Sequence, residues 1–145
     1  MTAYTNYSLR ILMYCALHPG ELVRIQDIAV SFGISRAHLL KSATHLGQLG
    51  YLTTVRGRSG GVTLALAPER ISLGAVVREV EGTCEFVECF NSETNTCPIA
   101  GVCKLTALFH QAIEAFYQEL DDVTLADLVR DGDQMRGRLA VLNLA

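Results

Sequence analysis

The chain has no tryptophan, only three prolines among 145 residues, few aromatics (7%) and a low charged fraction (19%). No stretch reaches the roughly 18 consecutive apolar residues that cross a bilayer. The opening MTAYTNYSLR has neither the basic n-region nor the small-residue cleavage site of a secretory leader. A cytoplasmic protein without a membrane partner is expected. There is also no Cys-x-x-Cys pair, no glycine-rich nucleotide-binding pattern and no convincing acid–base or nucleophile–base constellation. An enzyme is therefore not expected. Internal repeats, low-complexity tracts and obvious linkers are missing too. What is present is an apolar half, enough at this length to bury one core.

Charge is scarce but unevenly placed. Residues 1–66 hold six basic side chains against two acidic ones, whereas residues 67–145 hold six against thirteen. A positive front half and a negative back half suit a phosphate-facing surface joined to a regulatory or oligomerising one.

The front half reads as helices and a hairpin. Leu9, Leu12, Met13, Ala16 and Leu17 recur at helical spacing over 6–18, with Asn6 or Thr5 placed to cap and Pro19-Gly20 to stop. Cys15 falls inside that helix as a small buried hydrophobe. Residues 25–31 predict a short helix, Gly33 a tight turn, and 35–49 a second helix with Ser35 as its cap and Gly50 at its end. On the second helix Leu39, Leu40, Ala43, Leu46 and Gly47 are expected on the core face and His38, Lys41, Ser42 and His45 on the other. Arg36 leans toward the apolar face, although its long stem can swing outward.

Two β-rich runs follow, 51–56 and 62–66, around the loop Gly57-Arg58-Ser59-Gly60-Gly61. A helix-turn-helix followed by a basic-tipped hairpin is a winged helix, with one helix for a major groove and a wing for phosphates or a minor groove. The candidate DNA contacts are Ser35, Arg36, His38, Lys41, Ser42 and His45, with Arg56, Arg58, Gly60 and Gly61 in the wing.

Further on, Ser72 is placed to cap a helix holding Leu73, Val76, Val77 and Val80, which Gly82 closes. Residues 104–120 carry a wide apolar stripe that includes Leu105, Leu108, Phe109, Ala112 and Phe116. Seventeen residues are about 25 Å of helix, broad enough to pack on its own domain and on a second subunit. Thr124 starts a short helix, and the tail after it reads equally as an extended arm or a helix. The fold expected is mainly α with a small β wing. Its parts are a winged helix-turn-helix at 1–80, a cysteine-rich loop at 81–103, and a dimerisation helix with the C-terminal segment at 104–145.

Of the five cysteines, Cys84, Cys89, Cys97 and Cys103 fall within twenty residues that show neither helical nor strand period. An odd count in a chain without a leader argues against a disulfide framework. Structural zinc sites pair their ligands as close knuckles, and none occurs here. The wider spacings, and the proline after Cys97, suit a loop wrapped around something larger than one ion, such as an iron–sulfur cluster. Zinc, or an empty loop with a protein partner as signal, is the alternative.

At this point the chain resembles the winged-helix iron–sulfur regulators, the group that includes the nitric-oxide-sensing NsrR, the iron-responsive RirA and the cluster-assembly regulator IscR. The resemblance spans residues 5–129 and is carried by TNYSLR, VRGRSGG, the Cys89/Cys97/Cys103 loop and TLADLV. It implies a homodimer built on the long helix, acting as a repressor on palindromic double-stranded DNA. It also implies one cluster per subunit, 4Fe–4S in preference to 2Fe–2S, held by Cys89, Cys97 and Cys103. Where IscR-type members place a histidine ligand, this chain has Thr106. Where NsrR-type members often place an aspartate, it has Asn6, as RirA-like members do. Asn6 and Cys84 are thus the candidate fourth ligands, and His110 is expected to be solvated. SRAHLLKSATHLGQLGY and TLADLV favour the NsrR type and nitric oxide over iron as the signal.

Overall fold

The computed structural model describes residues 1–82 and 87–142, with side chains to residue 139; Cys84 lies outside the described residues. Helix α1 spans Ala3–Leu17. It begins before the expected start because the Thr2 hydroxyl, on extended backbone, accepts from the Thr5 amide. A distant carboxylate reinforces that start: Glu81 accepts from the Thr2 amide at 2.9 Å and from the Thr5 hydroxyl. Thr5 is consequently buried inside the first turn, and Asn6 is exposed on it. Neither is the cap.

Helix α2 (Ile25–Phe32) ends on Gly33, whose left-handed backbone (φ 62°) lets its amide reach back to Ala29 and Val30. Helix α3 (Arg36–Gln48) follows, with Ser35 at the cap position but without a side-chain capping bond. Strands β1 (Leu52–Val55) and β2 (Gly61–Leu64) pair antiparallel, Leu52 opposite Leu64 and Val55 opposite Gly61. The wing does not stand alone. Val23 and Val62 exchange backbone hydrogen bonds at 2.9 and 2.8 Å, which ties β2 to the approach to α2.

Two wing glycines are required by space. A Cβ at Gly60 would lie 2.3 Å from the Val55 carbonyl oxygen, and one at Gly61 would lie 2.5 Å from that of Val23. Beyond the wing, Ser72 caps helix α4 (Leu73–Glu81) through the Ala75 amide. Helix α5 (Leu105–Asp121) is the long helix. The capping box of Thr124 and Asp127 starts α6 (Leu125–Leu128). The tail is helical: α7 covers Gly132–Leu142.

Ile11, Leu12, Ile28, Leu39, Leu46, Ile71, Val76 and Leu125 are wholly buried in one core. Each such side chain contributes about 1.5–3 kcal/mol of transfer free energy. Leu125 enters this core because the chain after α5 returns to the start of α4: Leu73 N donates to Val123 O at 2.9 Å and Leu125 N to Ile71 O at 2.8 Å. The C-terminal end is held similarly, with Arg136 donating to the Leu17 carbonyl at 2.9 Å.

Candidate nucleic-acid interface and cysteine site

A groove of about 330 Å³ runs between α3 and the wing, with Arg24, Gln26, Arg36, Leu40, Thr44 and Arg58 on its walls. Arg36 faces this groove, which resolves its ambiguous helical phase. Arg36, Leu40 and Thr44 follow each other at four-residue steps and so form one row along the helix. Arg56 and Arg58 are exposed at the wing tip. Among the described residues, none of Arg24, Arg36, Lys41, Arg56 and Arg58 belongs to an ion pair. The four arginine charges are thus free to meet phosphate, whereas the Lys41 ammonium lies over the Tyr4 ring.

Two α3 residues exchange the faces expected of them. Ser42 is buried, and its hydroxyl is the buried side-chain oxygen left without a partner among the described residues. It cannot be a DNA contact in this arrangement. Leu40 is 38% exposed and sits in the groove. The reason is that α3 is covered from two sides, by α1 and by the wing, so its buried arc is displaced from the one that hydrophobicity outlines.

His38, Lys41 and His45 lie along the flank that meets α1. The His38 ring stacks on Tyr7 at 6.0 Å and the His45 ring on Tyr4 at 5.9 Å. The Lys41 ammonium lies 5.9 Å from the Tyr4 ring centre, and the Tyr4 hydroxyl donates to the Lys41 carbonyl at 3.4 Å. These contacts make a strip separate from the groove. Gly60 and Gly61 have a steric role in the hairpin, as described above. Arg24, Gln26 and Thr44 were not anticipated. The four-residue step from Leu40 to Thr44 was a usable signal, whereas Arg24 and Gln26 reach the groove only through the Val23–Val62 pairing.

The cysteine segment has a different character. Cys89, Cys97 and Cys103 are free thiols, all half-buried. A 3-10 turn at Glu88–Phe90 is the short regular piece in a stretch otherwise built of turns. Glu88 closes the loop by accepting from the Thr96 amide at 2.5 Å and its hydroxyl at 2.7 Å. Those two bonds, the hydroxyl's first, hold the Glu88 carboxyl below its usual range. The Cys97 amide donates to the Asn95 side chain at 3.0 Å.

A cleft of about 340 Å³ is lined by Cys89, Asn95, Cys103, Thr106 and His110. The Thr106 hydroxyl donates to the Cys89 sulfur at 3.1 Å. His110 is exposed but not merely solvated, since its ring stacks on Phe90 at 3.9 Å and 9°. Three unoxidised thiols on one short loop form a soft donor set that fits an iron–sulfur cluster. Among the described residues no three His, Cys, Asp or Glu side chains converge on a metal position. A loop that gathers its ligands on binding is ordinary for such sites. Asn6 lies exposed on α1. Cys15 is buried, which pushes its thiol up to about 12, and it is chemically quiet.

On α5, Leu105, Leu108 and Phe116 are 50%, 59% and 46% exposed. Ala112 is exposed beside them and Phe109 is half-buried. The far end of α5 is anchored. Arg78 makes a two-pronged pair with Asp121, the Nη2–Oδ2 bond measuring 2.8 Å, and covers the Tyr117 ring at 4.5 Å. Among the described residues no helix is long and apolar enough to cross a membrane.

Comparison with known proteins places this geometry. The Rrf2 family model, described as iron-dependent transcriptional regulator, matches residues 1–131. The transcriptional regulator NsrR of Halalkalibacterium halodurans is 45% identical over 140 residues, covering 96% of each chain. The protein of the same name from Geobacillus kaustophilus is 47% identical over 140 residues, covering 96% of this chain and 95% of its own. The solved structure of CymR, the global cysteine regulator of B. subtilis, superposes with a TM-score of 0.72 at 23% identity, covering 90% of this chain and 95% of its own. At that identity the likeness speaks for the winged-helix fold.

Proposed function

The chain belongs to the Rrf2 family of transcriptional regulators, and on that premise we propose a homodimeric repressor whose DNA affinity is set by an iron–sulfur cluster sensing nitric oxide. The carrying observation is the position of the three free thiols, on the segment that leads directly into the apolar, solvent-facing helix α5.

Each subunit offers one groove to one half-site. Arg36, Thr44 and Gln26 approach base edges, and Arg24, Arg56 and Arg58 neutralise phosphates. Leu105, Leu108, Ala112 and Phe116 cover their counterparts on the second subunit, with Phe109 at the margin. Two helix-turn-helix units must sit about 34–36 Å apart to engage a palindromic operator. A small change in how two α5 helices cross therefore alters register.

When bound, the cluster supplies iron that reacts with nitric oxide and sulfur bonds that hold residues 87–103 in one arrangement. Cys89, Cys97 and Cys103 are its protein ligands, with Asn6 of the partner subunit or Cys84 as the candidate fourth. Were Cys89, Cys97 and Cys103 to lose such a cluster, the loop that joins them to the start of α5 would no longer be held by it. The path onward is an ion pair followed by packing: α5 meets α4 through Arg78 and Asp121, and α4 lies in the core with Val76 and Val80. Coupling of about 1–3 kcal/mol suffices to change operator affinity 5- to 150-fold.

The test is anaerobic purification with iron and sulfide analysis, then separate titrations with nitric oxide and an iron chelator. DNA binding is followed on genomic fragments that the protein itself selects. Loss of binding with nitric oxide at intact iron supply supports the reading. Loss with chelator alone favours an iron-responsive regulator, which the family description also suggests. A colourless protein with stoichiometric zinc rejects the cluster.

A further inference from the structure

Two neighbouring turns of α5 reach the same short piece of the cysteine loop. Thr106 donates to the Cys89 sulfur at 3.1 Å, and four residues later His110 stacks flat on Phe90 at 3.9 Å. Of the three thiols, Cys89 is the one whose sulfur accepts a side-chain hydrogen bond among the described residues. The Cys97 stretch is held instead from within the loop, by Asn95 and by the Glu88–Thr96 bonds.

We propose that Thr106 is a positioning residue that tunes the donor strength of the Cys89 sulfur and carries its state to α5. The inference rests on ligation by the three cysteines. A hydrogen bond to a ligating sulfur withdraws electron density from it and weakens its donation to a metal, while fixing its orientation. The bond is also stronger when the sulfur is a thiolate than when it is a thiol, because an ionised acceptor strengthens a hydrogen bond. Ligation therefore tightens the Thr106–Cys89 contact and loss of ligation slackens it. The change is felt in the first turn of the helix that carries Leu105, Leu108 and Ala112. His110 acts alongside, keeping the segment after Cys89 against α5 whatever the state of the sulfur.

The experiment compares wild type with Thr106→Val, Thr106→Ala and Thr106→Ser after two loadings: iron with sulfide, and cobalt(II) alone. Loss of the hydroxyl is expected to move the sulfur-to-metal absorption band to longer wavelength at unchanged metal stoichiometry, and serine to return it toward wild type. Amide exchange in the first turns of α5 should be slower in loaded than in stripped wild type, with that difference lost in Thr106→Val. Thr106→Ala gives the same reading without the branched side chain, should valine disturb folding.

Identical band positions and exchange in wild type and both hydroxyl-free variants overturn the proposal, as does failure of folded Thr106→Ser to restore the band. If cobalt(II) binds with sulfur bands but no iron cluster forms, the cluster reading fails and the cobalt comparison still decides Thr106. If neither loads, both are wrong.

Discussion

The winged-helix half and the cysteine–α5 region share a chain but differ in how far each is completed by its own residues. In the first, Ile11, Ile28, Leu39 and Leu46 are wholly buried, and the wing is hydrogen-bonded to the approach to α2. In the second, Ile99, Val102, Leu105, Leu108 and Phe116 face solvent, and three thiols stand half-buried, two of them, Cys89 and Cys103, lining a cleft. The lesson concerns the division of labour. A core that closes on itself can present a rigid groove, whereas the second region leaves apolar side chains and soft donors uncovered by its own chain.

The contrast can be broken from its strong side first. Leu46→Ala removes a fully buried side chain and is expected to cost about 2–5 kcal/mol in chemical denaturation. Leu108→Ala, at a position 59% exposed, is expected to leave subunit stability nearly unchanged while weakening dimerisation in sedimentation equilibrium. Equal costs for the two would erase the distinction.

Next in size are the groove contacts. Arg36→Ala and Thr44→Ala should each weaken DNA binding by about 1–3 kcal/mol, and unevenly among operator sequences. Arg58→Ala should weaken it uniformly and reduce the salt dependence by about one phosphate contact. The optical spectrum of the cysteine site should not move in any of them.

A smaller effect links the two halves through pH. Burial works to raise the Glu81 carboxyl, but the bonds from Thr5 and Thr2 outweigh it and hold Glu81 below the ordinary value of 4.5. A lowered folded-state value means stability that is present above the unfolded value and lost as pH falls through the folded one. Acid titration of the melting temperature should therefore show a steeper fall below pH 4.5 in wild type than in Glu81→Gln. Parallel acid limbs would remove Glu81 as the link between α1 and the end of α4.

The smallest effect tests a buried hydroxyl. Ser42→Ala removes an oxygen that has no partner among the described residues. Stability should stay level or rise by up to about 1 kcal/mol, with DNA affinity unchanged. A loss of affinity would return Ser42 to the DNA face.

Much of this molecule was legible from residue order. Gly33, Gly50 and Gly82 stand at helix ends with positive φ, Ser72 caps α4, and Thr124 with Asp127 starts α6, because these signals act over a few residues. The basic wing and the cysteine cluster were visible because composition and spacing mark them directly. The failures are those where a distant partner decides. The start of α1 depends on Glu81, far along the chain. The faces of Ser42 and Leu40 depend on which neighbours cover α3, and the tail's helix depends on docking against α1 and α2.

Residue order alone thus settled the kinds of element up to the tail and their sequence along the chain, since propensity, capping and periodicity are local. Tertiary packing decided which polar side chains reach the groove, that Arg24 and Gln26 join it, and that Thr106 meets Cys89. Those outcomes follow from where separate elements come together, and no short window of sequence contains both partners.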